Sequence, residues 1–201
     1  LLSPAIPQLR DDLMVTSDEA QLVLSAFLIM LGFGQLIAGS LSDRIGRRPV
    51  LVYGSLLFVL SGFGALLATS IEMLVFMRIL QGLGAAACMA MGRVIISDSF
   101  QHAEAGRQMS TITMFQSVVP LLGFSFGGVL ADLVGWRGSV GLMVVTAAIV
   151  FAGASMLLAE SRDPSIKPVP ATRIIFVYCK LLVTPLFMTN AMMAATVTAV
   201  Y

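Results

Sequence analysis

Five unbroken apolar stretches, at about residues 21–42, 50–70, 74–97, 108–131 and 138–158, leave this chain few ways to fold. Each has the length a helix needs to cross a hydrocarbon core about 30 Å thick, at a rise of 1.5 Å per residue. Transmembrane strands run about 10 residues with alternating polarity. These stretches are instead continuous and rich in Leu, Ala, Gly and Met. The predicted fold class is all-α, a polytopic membrane helix bundle.

Composition agrees on the solvent. Of 201 residues, 58% are hydrophobic and 11% charged, against about a quarter charged in soluble domains. The expected partner is the lipid bilayer. A net charge of +1 argues against nucleic acid and against an acidic partner, so the placement of charge matters more than its sum. Cys88 and Cys179 lie inside apolar segments with no metal or redox spacing, and read as buried free thiols.

The ends read as cut. Residues 1–9 look like the outer end of a helix whose body is missing, and no signal peptide is visible. After the last complete span, a polar linker from Glu160 to Pro170 precedes a second apolar region. There Arg173, Val177 and Lys180 share one helical face, which predicts an interfacial helix before a seventh span near Pro185. The expected organisation is a six-helix transmembrane bundle at 1–159 with its first helix truncated, a cytoplasmic linker and interfacial helix at 160–184, and the start of a C-terminal bundle at 185–201.

Positive charge orients the chain. Arg44, Arg47 and Arg48 follow the second helix, Arg107 follows the fourth, and Arg162, Lys167, Arg173 and Lys180 follow the sixth. These segments are expected in the cytoplasm. The opposite loops carry Arg10 and Arg137 among Asp11, Asp12, Asp18, Glu19, Glu72 and Asp132. Arg78 and Arg93 remain inside a span.

One repeat organises the bundle. Gly39, Leu41, Asp43, Gly46 and Arg48 recur as Gly128, Leu130, Asp132, Gly135 and Arg137, all at an offset of 89 residues. Three spans separate the copies, so they face opposite sides of the membrane. That is an inverted repeat of three plus three helices, a construction found in secondary transporters.

At these residues the chain resembles the major facilitator superfamily. The loop holding Gly39, Leu41, Asp43, Arg44, Gly46, Arg47 and Arg48 is similar to the signature between that family's second and third helices. Arg78, Gln81, Gly82 and Gly84 resemble its fourth-helix motif, and the long linker after the sixth helix agrees. Ser3-Pro4-Ala5-Ile6-Pro7, the Asp43–Pro49 loop and Ala159-Glu160-Ser161 look most like the bicyclomycin and chloramphenicol resistance subgroup of proton-coupled drug antiporters. One motif departs from the pattern. Where exporters carry Gly-Pro before Gly-Gly in the fifth helix, Phe124 follows Gly123 ahead of Gly127 and Gly128, and Pro120 sits one turn earlier. The helix bend is expected to move with it, while the glycines also suit plain helix packing.

The resemblance implies roles. Asp43 and Arg47, with Asp98 at the end of the fourth helix, form an inner gate, and Gly39, Arg44, Gly46 and Arg48 belong to its motif. Asp43 is also expected near the positive end of the third-helix dipole; the bland alternative for Arg44 and Arg48 is a topological anchor. Arg78 has an implied part in proton coupling, against simple snorkelling to the outer interface. Gln81, Gly82 and Met89, with Met77, Ala85, Cys88 and Gly92 on one side and Phe115 and Gln116 on the fifth helix, outline a cavity face, which ordinary packing would also produce. Arg93, near the inner end, can reach the headgroups.

None of the five spans contains Asp or Glu. The titrating acid is therefore expected in the missing first helix or second half, and His102 lies in a loop. The leading expectation is a secondary transporter: efflux of drugs or amphipathic molecules in exchange for protons, with the proton gradient as energy source and no cofactor or metal. The implied setting is the bacterial inner membrane, and the implied functional form is a monomer once the second half is present. An importer or facilitator of sugars, organic acids or other solutes is the alternative. An enzyme would need ligand histidines, a nucleotide loop or a nucleophile with its base, and none is present.

Overall fold

A computed structural model describes residues 2–162, 183–185 and 188–189. All regular structure among them is helical. A 3-10 turn at Ser3–Ala5 leads into α1 (Ile6–Leu13), followed by α2 (Ser17–Ile45), α3 (Arg47–Leu66), α4 (Ile71–Ser99), α5 (His102–Val134) and α6 (Trp136–Leu157). The last five are long and apolar enough to cross a membrane, which makes this a multi-pass membrane protein. Their ends at Gly46 and at Phe100 and Gln101 are called inner here. Contacts divide the chain into units 1–163 and 164–201. The anticipated interfacial helix around Arg173–Lys180 lies outside the described residues, as does most of the seventh span.

Helix ends follow local chemistry and overrun the apolar stretches. α2 begins at Ser17 because Thr16 and Glu19 form a capping box, Thr16 Oγ1 accepting from the Glu19 N–H and Glu19 accepting from the Thr16 N–H. At α4 the Ser70 hydroxyl caps the Met73 N–H. The two joints of the repeat are each a single residue. Gly46 (φ +106°) links α2 to α3 and Gly135 (φ +78°) links α5 to α6, a backbone region that favours glycine. Gly46 N–H donates to Ser42 at 3.0 Å and Gly135 N–H to Ala131 at 2.8 Å. The inverted repeat inferred from sequence is thus a repeat of backbone geometry, in register at the offset of 89.

α4 is the central element, packed against both α2 and α3, while α3 also packs on α6. One apolar cluster near the outer end gathers Leu9, Val23, Leu74, Trp136 and Val140; a second, nearer the inner end, holds Ala38, Val50, Ala87 and Met91. Without a hydrophobic drive between helices in lipid, such contacts depend on small residues that let backbones approach. A methyl group on Gly82 would stand 2.6 Å from the Phe27 carbonyl oxygen of α2, and one on Gly84 2.6 Å from the Gly54 carbonyl oxygen of α3. Gly82, read as a cavity residue, is a packing residue here. α5 is the least embraced helix, with Phe115, Leu121, Phe126 and Leu133 exposed.

Because backbone cannot yield as a side chain can, Gly82→Ala and Gly84→Ala should each lower bundle stability by about 1–3 kcal/mol. Gly32→Ala, whose new methyl meets nothing within 4 Å, should leave it unchanged. Thermal unfolding of the full-length parent in detergent checks this; equal melting of all three variants would contradict the close-approach account.

Candidate functional site

At the inner end α2, α3 and α4 converge on one guanidinium. Arg47, the first residue of α3, is only 8% exposed. Its Nη1 donates to Asp43 Oδ1 at 2.6 Å and to Ser42 Oγ at 3.3 Å, and its Nε to Asp98 Oδ2 at 3.0 Å. The three gate residues expected from sequence are therefore brought into contact. Gly46 lets the chain turn tightly enough for Asp43 and Arg47 to face each other across the joint.

The carboxylate at the third-helix N-terminus is not Asp43, which is occupied by the guanidinium. Glu160 takes that place. Its carboxylate accepts from the N–H groups of Arg47 (2.8 Å), Arg48 (3.2 Å) and Arg162 (3.0 Å). The physical reason is at the joint. Gly46 supplies the required φ but has no side chain to cap with, and Pro49 has no N–H, so the donors left over turn to a distant acid. Around it, Arg162 Nη1 donates to the Arg44 carbonyl at 2.8 Å and Arg48 Nη2 to the Ser155 carbonyl at 2.7 Å. Arg48 is thus engaged with the end of α6. Partial desolvation raises the Glu160 pKa, and the N–H donors outweigh it and hold the carboxyl below the ordinary glutamate value. A depressed carboxylate stabilises above its unfolded pKa of about 4.5, and that contribution is lost as pH falls through the folded value.

The outer end repeats this arrangement upside down. Arg137, in register with Arg48, sends Nη2 to the Ala68 carbonyl just past α3 at 3.2 Å, as Arg48 reaches the end of α6. Its Nη1 meets Asp12 at 2.6 Å in the last turn of α1, as Arg47 meets Asp98 in the last turn of α4. The Trp136 indole N–H donates to the same Asp12 oxygen at 2.9 Å, and with Arg137 it holds that carboxyl below its usual range. Asp132, the aligned partner of Asp43, stands apart and accepts from Gln8 at 3.4 Å. The acid that Arg137 meets, Asp12, lies outside the aligned segment.

Arg78 does not snorkel. It is 3% exposed, with Nη1 donating to Gln81 Oε1 at 2.8 Å, Nε to the Val23 carbonyl at 3.4 Å and the guanidinium 4.4 Å over the Phe27 ring. No carboxylate among the described residues reaches it. Gln81 is fully buried, and its Nε2 has no partner among them.

The residues expected to share a cavity face separate. Ala85, Cys88 and Met89 line an apolar cleft of about 480 Å³ with Phe58, Val119 and Met143, whereas Gln81 packs with Arg78. Phe115 is exposed on α5, and Gln116 accepts from Arg93 Nη2 at 3.1 Å. Gly39 has open space beside it. In α5, Pro120 lies inside an unbroken helix and Gly123 is half-buried. Gly127 is buried with its carbonyl accepting from Ser139 of α6, and Gly128 faces Pro4.

Two sets of residues escaped the sequence reading. Glu160 stands directly after the last apolar run, far in sequence from the helix it caps, and no local pattern ties the two. Asp12, Trp136 and Arg137 had the repeat, but their acid lies outside the aligned segment.

Taken together, the spanning helices form an inverted repeat with charged clusters at both ends, a construction found in secondary transporters. The Major Facilitator Superfamily profile matches residues 1–201, and the chain belongs to that superfamily. It is 37% identical over 139 residues to the Chloramphenicol resistance protein of Pseudomonas aeruginosa, covering 67% of this chain and 32% of that protein. It is 32% identical over 171 residues to Multidrug resistance protein D of Escherichia coli K12 (85% and 42%), and 37% over 130 residues to the Multidrug transporter MdfA of Yersinia pestis (65% and 32%). The chain thus spans about a third to two fifths of the length of these relatives. Among solved structures, the proton:xylose symporter XylE superposes with a TM-score of 0.60 at 20% identity, over 80% of this chain and 41% of that one; it shares the fold.

Removing the distant cap should loosen the first turn of α3. In the full-length parent, Glu160→Ala should cost about 0.5–2 kcal/mol locally, in the range of other N-cap losses. Amide hydrogen exchange at Arg47 and Arg48 should become several-fold faster, with the middle of α3 unaffected. Unchanged protection there would refute the cap.

Proposed function

We propose that the full-length parent is a secondary transporter exporting lipophilic neutral or cationic compounds in exchange for protons, and that the residues described here form its N-terminal bundle. The observation that carries this reading is Arg47 held between Asp43 and Asp98 at the junction of α2, α3 and α4. Such a charge-assisted cluster can be made or broken as the inner mouth closes or opens, and superfamily membership with resistance-protein relatives gives it a context. Two carboxylates on one guanidinium favour closure of the inner side while they stay paired. Glu160 and Arg162 tie the segment after α6 to the same loop, so displacement of that segment is felt at the gate. Arg78 assists coupling from its buried position. The proton gradient supplies the energy with no bound cofactor, and the protein works as a monomer once its second bundle is present. Its setting is the bacterial inner membrane, with residues 43–48 and 99–107 in the cytoplasm and 10–19, 69–72 and 132–137 outside; the bacterial relatives and the arginine-rich inner loops support this.

The test combines flux with accessibility. In cells or proteoliposomes, the parent should lower retention of fluorescent amphiphiles, a protonophore should abolish the effect, and Arg78→Ala should weaken it strongly. Asp43→Asn should remove a contact worth roughly 1.5–3 kcal/mol and bias the equilibrium toward the inward-open state about ten-fold or more, with expression intact. Single-cysteine labelling from the two sides reads that shift. Gradient-driven uptake of a sugar or organic acid without drug efflux would replace the exporter with an importer, and unchanged labelling in Asp43→Asn would reduce the cluster to an anchor.

A further inference from the structure

Arg93 occupies a position that neither topology nor packing explains. It is exposed near the inner end of α4, where an arginine can ordinarily extend to the nearest headgroups. Its guanidinium goes the other way. α4 and α5 leave the same short turn at Phe100 and Gln101, and at 1.5 Å per residue Arg93 stands roughly 10 Å from that turn and Gln116 roughly 20 Å. Helical side chains lean toward their own N-terminus, which carries Arg93 deeper along α4 and Gln116 back toward the turn along α5. They meet with Arg93 Nη2 donating to Gln116 Oε1 at 3.1 Å. The charge therefore sits about 15 Å from the turn and, since the apolar stretches end at about residue 97 and resume at about 108, inside the core and deeper than the headgroups.

A guanidinium at that depth is costly unless it faces protein polar groups or a water-filled path. Gln116 is its one partner among the described residues, and it takes one of five N–H donors. Beside it Gly92 leaves open space, where even an added methyl would meet nothing within 4 Å, and Phe115 next to Gln116 is 56% exposed. A fixed cation with spare donors, a neutral tether, an aromatic neighbour and adjacent room is the chemistry that receives an acceptor oxygen on a part-apolar molecule.

We propose that Arg93, oriented by Gln116, is a specificity-determining residue of the transport path, selecting within the class proposed above the neutral amphiphiles that present an acceptor oxygen and disfavouring permanent cations. This rests on the transport reading above and narrows its substrate class. Unlike Arg78, which is enclosed by Gln81, Val23 and Phe27, Arg93 has donors free to meet a molecule in the path. Positive charge in a low-dielectric passage repels a lipophilic cation, so acceptance of one class and rejection of the other come from the same group.

The experiment uses the purified full-length parent and two probes, chloramphenicol as the neutral acceptor-bearing molecule and tetraphenylphosphonium as the permanent cation. Arg93→Gln should weaken equilibrium binding of chloramphenicol about ten-fold and tighten that of tetraphenylphosphonium, with a normal elution profile. Arg93→Lys, which keeps the charge without the planar fork, should still disfavour the cation. Loss of both probes to the same extent, or no change in either, overturns the proposal. Because binding is read without a gradient, the arginine-dependent difference can persist in a protein that shows no proton-driven efflux. That combination would sink the exporter reading and keep this one.

Discussion

Everything at the inner end depends on one buried cation. Arg47 is enclosed by Asp43, Asp98 and Ser42, and a guanidinium taken out of water is tolerated only when carboxylates and hydrogen bonds replace its hydration. That requirement draws the ends of α2, α3 and α4 to a single point. It also explains the glycine at position 46, since a residue restricted to negative φ would turn Asp43 and Arg47 away from each other. Removing either acid leaves the buried charge half-compensated, which makes this cluster sensitive to charge in a way that the close backbone packing of α4 through Gly82 and Gly84 is not.

The two ends of the bundle solve the same problem by the same means. At each, a positive-φ glycine joins two helices, an arginine beyond it reaches carbonyl oxygen near the end of the other repeat's third helix, and an acid at the end of the other repeat's first helix meets an arginine of the joint. The differences are informative. The inner joint adds Glu160 as a cap and buries its cation between two carboxylates, while the outer joint has one acid, shares it with an indole and leaves it solvated. More of the charge network is therefore invested on the side with the arginine-rich loop.

Within the membrane, three polar side chains of α4 behave differently according to what surrounds them. Arg78 and Gln81 are enclosed and serve each other. Arg93 lies on an open face, and its side chain leans away from the headgroups toward Gln116. Periodicity sees three polar residues on one helix; neighbours give each a separate environment.

The spans, the helical class and the inverted repeat were legible in the sequence, written in local quantities: run length against bilayer thickness, spacing of Gly and Asp, and charge at helix ends. The Asp43, Arg47 and Asp98 set was implied by the family resemblance. Tertiary structure alone decided which carboxylate caps α3, since Glu160 is distant in sequence and no pattern near Gly46 points to it. It also decided that Asp12, not Asp132, holds Arg137, that Gly82 is set against α2 backbone, and that Arg93 turns toward Gln116 instead of the headgroups. The physical reason is common to all four. Hydrogen bonds and steric limits are fixed by which backbones lie within about 3 Å of each other, and that distance is set only when six helices pack at once.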